Sequence, residues 1–238
     1  MKICVIGSCG KKKLAEHPNS PTCIDIHSKT DLQVYQERFA SLCHPAREMY
    51  TGNQNQQLVR GVDLLRKIED AHIDFYIISA GFGFLHEAES VPPYECTFAG
   101  MKKELLLGRS RALKIEKDFA ENCVNRYDFL YLALGKDYFT ALGDDWLSQE
   151  SGVVFQFVDQ NPKSNVLWFP SGNDTVQAFS SNGFKVHGAS GFKGDLLRIL
   201  ANYVLSEPDP YSELIGWTEP SYLKQLFSDF TSSAQLRF

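Results

Sequence analysis

Apolar residues gather in short runs of strand length at 2–6 (KICVI), 74–80 (DFYIISA), 128–134 (DFLYLAL) and 165–169 (NVLWF), with 153–158 (VVFQFV) as a candidate fifth. Between them the apolar spacing changes to that of a helix. Residues 56–71 place Leu58, Val62, Leu65 and Ile68 on one face. Residues 102–123 carry Leu105, Leu106, Leu113, Ile115 and Phe119, and 191–205 carry Leu196, Leu197, Ile199, Leu200 and Val204. Parallel neighbours need a crossover, so strands alternating with helices predict an α/β fold with a mostly parallel central sheet of four to five strands flanked by helices. Residues 15–50 read as a long irregular insertion after the first strand, with a candidate helix at 32–43. The Pro208-Asp209-Pro210 break opens a C-terminal appendage of one or two short helices. We therefore expect a single domain, with an α/β body over 1–205 and residues 206–238 packed on it.

The densest signal lies in 75–97. An apolar strand breaks at Ser79 into a loop holding Gly81 and Gly83, and Pro92-Pro93 then presents Tyr94 and Glu95. Open α/β sheets bind ligands beyond the carboxyl ends of their strands, where small residues let the backbone approach a substrate. A carboxylate following two prolines loses little entropy on being positioned. The plain alternative is a strand, a turn and a surface glutamate.

Three further loops belong at the same sheet edge. Gly7-Ser8-Cys9-Gly10-Lys11-Lys12-Lys13 has the glycines and lysines of a phosphate cradle but lacks Gly-x-x-x-x-Gly-Lys-Ser/Thr, which argues against an ATPase. A backbone nest with Lys11 could still hold a phosphate. Gly135-Lys136-Asp137-Tyr138 is the next, and Ser171–Thr175 starts a helix at which Ser171 or Asn173 suits an N-cap.

Composition narrows the class. The 238 residues are 43% hydrophobic and 22% charged, as in a soluble globular protein. No apolar run reaches membrane-spanning length, and the N-terminus reads as a strand rather than a signal peptide. The expectation is a cytoplasmic protein that does not engage a membrane. Six scattered cysteines fit reduced thiols better than a disulfide framework. The net charge of −5 is unevenly spread. Residues 101–117 are basic, with Lys102, Lys103, Arg109, Arg111, Lys114 and Lys117 against two glutamates, and Lys11–Lys13 form a second basic cluster. Either is a solvated face or a phosphate-binding patch.

Several chemistries lack their motifs. There is no Gly-x-Ser-x-Gly elbow and no His-Glu-x-x-His. Cys9, His17, Cys23 and His27 lie close in sequence, but their spacing matches no standard zinc site, and no cofactor is expected. No lysine lies inside an apolar strand end, which argues against a Schiff-base lyase. What remains is one positioned carboxylate beside aromatics, small-residue loops and basic clusters. Hydrolysis of an N-glycosidic bond needs about this much: a carboxylate to stabilise an oxocarbenium-like sugar and to orient water. Phe82, Phe84 and Tyr94 could stack on a base taken out of the duplex.

The motif order adds a resemblance. Cys9-Gly10-Lys11-Lys12-Lys13, Ala46-Arg47-Glu48-Met49-Tyr50-Thr51, Ile78-Ser79-Ala80-Gly81-Phe82-Gly83-Phe84-Leu85 and Pro92-Pro93-Tyr94-Glu95-Cys96-Thr97 resemble a bacterial and phage family of unknown-function proteins. That family's pattern is C-G-x-x-K, A-x-E-L-Y, L-S-A-K-Y-G-L-L and P-Y-D-x-T. It is similar to the glycosylase-like domain of archaeosine synthase, more distantly to the uracil-DNA glycosylase fold, and to phage-defence DNA glycosylases that excise glucosylated hydroxymethylcytosine. The resemblance runs from residue 3 to residue 140. Glu95 stands where the family has Asp, and Gly81 where it has Lys. The Gly-Gln-Asp-Pro-Tyr and His-Pro-Ser motifs of true uracil glycosylases are absent, which points away from uracil.

The resemblance implies a uracil-DNA-glycosylase-like fold and a monofunctional DNA glycosylase for antiviral defence. Its partner would be phage DNA, its substrate a flipped glucosylated pyrimidine and its product an abasic site. Glu95 is then the catalytic carboxylate. Ser8, Cys9, Gly10, Ser79, Phe82, Tyr94 and Asn173 are the expected substrate contacts, and Lys11, Lys12, Lys13, Arg109, Arg111 and Lys193 the expected nucleic-acid contacts. The alternatives are a hydrolase or transferase on free nucleotides or nucleosides, and a non-enzymatic nucleic-acid-binding stress protein.

Overall fold

The structure is a computed structural model that describes residues 1–160 and 163–231. In chain order the elements are β1 (Lys2–Ser8), α1 (Asp31–Arg38), β2 (His44–Pro45), α2 (Ala46–Met49), α3 (Asn53–Leu65), β3 (His72–Ser79), β4 (Gly83–His86), β5 (Ser90–Val91), α4 (Lys103–Ala112), α5 (Ile115–Cys123), β6 (Phe129–Leu132), α6 (Lys136–Leu142), β7 (Val153–Gln156), β8 (Val166–Trp168), α7 (Asn173–Ser181), α8 (Phe192–Ser206), α9 (Pro210–Ile215) and α10 (Pro220–Thr231). The central sheet has the order β4-β3-β1-β6-β7-β8. Every neighbouring pair is parallel except β3–β4, a hairpin that pairs Ser79 with Gly83 and Tyr76 with His86.

The sheet therefore has six strands rather than four or five, and it is mixed. The extra one is β4. Its residues, Gly83–His86, read as loop because two glycines precede a short apolar stretch. In the fold those glycines allow the tight reversal that returns the chain along β3. Helix α4 and helix α5 likewise replace the single helix expected over 102–123. Lys114, between them, has φ +55 in the left-handed region, which interrupts the hydrogen-bond ladder. The apolar face continues across the break, so periodicity alone joined the two.

Alternation along β1 sends side chains to both faces. The Cys4 thiol meets Cys123 of α5 at 3.7 Å, whereas Gly7 lies under Leu58 of α3. Three residues apart on a strand means opposite faces, so α3 and α5 sandwich the sheet. That explains why the interior of β1 (Ile3–Ile6), all of β6 and the first three residues of β7 are apolar. Helix α8 packs along α3, and the closest approach is through Gly194, where an added Cβ would stand 2.2 Å from the Gln54 carbonyl oxygen. At the C-terminal end, Trp217 lies 5.3 Å from Phe129, ring to ring, and Phe227 4.4 Å from Phe169. Each such buried ring contributes about 2–3 kcal/mol by area. Among the described residues no helix is long and apolar enough to cross a membrane.

The cysteine reading needs correction. Cys23 and Cys96 form a disulfide, with Cα atoms 4.8 Å apart. A sequence separation of 73 residues hid the pair. Closing a loop of that length constrains the unfolded chain by about 4 kcal/mol at most. The remaining four cysteines are free.

The α3–α8 contact yields a prediction. Gly194→Ala must push the first turn of α3 away from α8, and we expect a loss of about 1–3 kcal/mol in urea denaturation. An unchanged midpoint would mean that the two helices do not need this close approach.

Candidate functional site

Strand β1 ends at Ser8, and the chain turns sharply through Cys9–Lys13. The turn is tied on both sides. The Cys9 amide donates to the Ile78 carbonyl at 2.9 Å, the Thr51 amide to Lys12 at 3.1 Å and the Leu14 amide to Met49 at 2.8 Å, with Lys13 bridged to Tyr50. A cavity opens on each side. The first, about 350 Å³, is lined by Ser8, Cys9, Gly10 and Lys12, by Tyr50, Gly52, Asn53, Gln54 and Asn55 leading into α3, and by Ser190 before α8. Helix α3 has neither a side-chain cap nor an acidic residue in its first turn, so its positive dipole end borders this cavity, whereas α8 carries the buried Asp195 in its first turn. Gln54 is held there by donating to the Ala133 carbonyl at 3.0 Å. The second cavity, about 400 Å³, is lined by Lys11, Lys13, Cys23, Glu95, Cys96 and Thr97.

Glu95 sits on a stiff piece of backbone. The buried Pro92, Pro93 and Tyr94 precede it. Its amide donates to the Pro21 carbonyl at 2.8 Å, it bridges to Thr22, and the disulfide follows at Cys96. Its side chain is 61% exposed, and the Lys13 ammonium is 3.9 Å from Oε1. Lys13 is the reverse case: its side chain is only 2% exposed, and its Nζ lies 4.4 Å from the centre of the Tyr94 ring. Lys11 and Lys12 are exposed.

Tyr94 and Phe82 require correction as base-stacking groups. Both are fully buried and meet edge to face at 4.9 Å, so neither offers a ring to a ligand. The Tyr94 hydroxyl bonds to Ser79 Oγ at 2.8 Å and to the Tyr50 hydroxyl at 3.0 Å. Burial raises the pKa of both phenols, so they act as neutral hydrogen-bonding groups. Ser79 is also engaged, because its hydroxyl accepts from the amides of Gly81 and Phe82. It closes the turn after β3 instead of touching substrate. Gly81 is explained by the same packing: a Cβ there would stand 2.7 Å from the Tyr94 ring.

The other expected contacts divide. Ser8, Cys9 and Gly10 line the first cavity, although Cys9 is itself buried, with Sγ 3.0 Å from the Tyr138 hydroxyl. Tyr138 also reaches Thr97 Oγ1 at 3.2 Å, linking the turn to the Glu95 segment. Asn173 lies on the exposed first turn of α7 and lines neither cavity. Arg109 is corrected from a nucleic-acid contact to a structural pin. Its guanidinium donates to the carbonyls of Ala80, Cys23 (2.7 Å) and Ile26 (3.0 Å), fastening the 9–30 segment to the end of β3. Burial lowers its pKa. Arg111 is exposed on α4, donating to Leu107 at 3.3 Å, and remains open to solvent. Lys193 lies at the start of α8, half-buried with Nζ 5.7 Å from the Phe157 ring, and burial lowers its pKa. The cluster of Cys9, His17, Cys23 and His27 does not assemble: Cys23 is in the disulfide, and no metal-binding group of three or more ligands forms among the described residues.

Sequence reasoning missed the contribution of α3 and α8 to the first cavity and the burial of Lys13. Tyr50 belonged to a quoted motif but had no role assigned. His187 proves to be a hydrogen-bonding residue whose Nδ1 donates to the buried Asp195 at 2.7 Å, beside the Ser190 loop.

Arg109→Ala removes three backbone anchors. We expect it to cost about 2–3 kcal/mol in thermal or urea unfolding while leaving affinity for DNA unchanged at fixed salt. Weakened binding with unchanged stability would restore the phosphate role.

A scan of the chain against protein-family models gives no match, and a search of curated proteins gives none either. The geometry of the two cavities therefore carries the functional argument.

Proposed function

We propose that this chain hydrolyses the N-glycosidic bond of a modified base in DNA, leaving an abasic site. A glucosylated pyrimidine of phage DNA is the substrate class that the motif resemblance indicates. The uracil-glycosylase-like character of the fold is part of this proposal. The observation that supports it best is the pairing of Glu95 with Lys11 and Lys13 in one cavity at the carboxyl end of β1.

In this reading the base and its sugar enter the cavity lined by Lys11, Lys13, Glu95 and Thr97 together, because the bond to be broken joins them directly. The flanking phosphates lie against Lys11 and Lys12, which are exposed on the same turn. The anomeric carbon lies against Glu95. As the C1′–N bond breaks, its electron pair leaves with the base and positive charge gathers on the sugar. The carboxylate stabilises that charge and takes a proton from the water that adds at C1′. Its exposure in the free protein suits a substrate that itself covers the site, since a seated nucleotide excludes the water that now screens the charge.

A second reading, hydrolysis or transfer on free nucleosides or nucleotides, is favoured by the net charge of −5, because a small substrate needs no broad basic surface. Free nucleotide would then compete, and duplex DNA would not bind.

The deciding assay incubates the purified protein with phage DNA carrying glucosylated hydroxymethylcytosine and with unmodified DNA, and counts abasic sites with an aldehyde-reactive probe. We expect sites only in modified DNA, and a fall on the order of 100- to 1000-fold in Glu95→Gln. Absence of base release from every modified DNA, or an unaltered rate in the variant, rejects the proposal.

A further inference from the structure

Against the sequence expectation of a monofunctional enzyme, which rested on the lack of an enclosed lysine, we propose that the enclosed Lys13 is a second catalytic group in the Glu95 cavity, an amine nucleophile that gives the chain a β-lyase activity on abasic sites. This rests on the glycosidic reading above, because the abasic aldehyde is the product of that reaction.

Three neighbouring lysines differ sharply in environment. Lys11 and Lys12 project into solvent, as phosphate contacts do, whereas the Lys13 side chain is only 2% exposed. Burying an ammonium is costly unless it is well paired. The pairing here is thin. Glu95, at 3.9 Å, is itself mostly exposed, and a carboxylate in that setting contributes little. The Tyr94 face at 4.4 Å adds a cation–π contact. Among the described residues the Lys13 ammonium makes no hydrogen bond. Such a group is held for something other than stability.

The surroundings fix the amine in place. Tyr50 bridges to the backbone of Lys13, and through its hydroxyl it also fixes the Tyr94 ring beneath Nζ. Lys13 and Glu95 line the same cavity, so a sugar seated against the carboxylate lies within reach of the amine. A lysine that served only as a phosphate ligand would gain nothing from being enclosed beside a carboxylate.

The chemistry balances with water as the only co-reactant. Glu95 accepts a proton from the Lys13 ammonium. The free amine adds to C1′ of the ring-opened abasic sugar, and the carbinolamine loses water to give an iminium ion. Glu95 returns the proton it took to the hydroxyl that leaves as water and, again a carboxylate, accepts a C2′ proton; the C–H electron pair forms the C2′=C3′ double bond, and the C3′–O bond breaks with its pair leaving on the phosphate. Water then hydrolyses the imine, releases the unsaturated aldehyde and restores Lys13.

The test uses the full chain and a duplex with a single preformed abasic site, treated with sodium borohydride. We expect a covalent protein–DNA adduct whose modified peptide contains Lys13. It should persist in Lys11→Ala and fall to background in Lys13→Ala and in Lys13→Arg, a variant that keeps the charge and whose folding is checked by thermal melting. An adduct on another residue, or no adduct with the wild-type chain, overturns the proposal. Base release that nicks DNA only after alkali also overturns it while leaving the glycosidic reading intact. Trapping on preformed abasic DNA without base release from any modified DNA upholds Lys13 and defeats that reading.

Discussion

The buried chain of hydroxyls Ser79–Tyr94–Tyr50 holds the candidate site together. Its three members come from the end of β3, from the double-proline segment and from the approach to α3, and they are joined by bonds of 2.8 and 3.0 Å. Buried as they are, each of these hydroxyls would cost about 1–3 kcal/mol if its partner were lost. Their mutual satisfaction therefore fixes where the Tyr94 ring lies. That ring sets the rest: it excludes any side chain at position 81, it carries the Lys13 ammonium on its face, and it places Glu95 one residue further along the chain. The aromatic that looked like a ligand-stacking group is the scaffold on which the charged groups are mounted.

A second constraint acts on the long segment between β1 and α1. It has little regular structure, yet it must cover the sheet edge without leaving the site loose. Arg109, the Cys23–Cys96 disulfide and the backbone bridge between Thr22 and Glu95 fasten it at three points. All three converge within a few residues of Glu95. The carboxylate is thus exposed in its side chain and rigid in its backbone, a combination suited to a group that must meet a large substrate without being reorganised by it.

Much of this fold was legible in the pattern of apolar residues, because strands buried on both faces leave continuous runs and α3 and α8 leave a stripe. The edge strand β4 was not, since a glycine and the three residues after it carry no periodic signal. Nor was the break at Lys114, where the apolar spacing continues while the backbone does not. At the site, the importance of 75–97 could be read from an apolar run meeting small residues and prolines. The roles within it could not, because burial decides between a stacking tyrosine and a structural one, and burial depends on what α2 and α3 bring from elsewhere. Arg109 misled for the same reason: a basic helix looks alike whether its arginines face solvent or three carbonyls. The disulfide required knowing that two loops 73 residues apart share one sheet edge.

The acidic net charge of −5, which favours a small free substrate, is still compatible with a DNA substrate once distance is considered. At physiological salt, exposed charges act over roughly 8 Å, so a phosphate arriving at the Cys9–Lys13 turn responds to Lys11 and Lys12 and hardly at all to the acidic C-terminal helices. The uncapped start of α3 adds positive potential beside the same turn. In the proposed reading, an acidic body with a small basic mouth would hold nucleic acid weakly away from that mouth and selectively at it. Under the proposed base-removing chemistry, weak contact with ordinary duplex is an advantage, because discrimination then rests on whether a base fits the cavity rather than on how tightly the backbone is held.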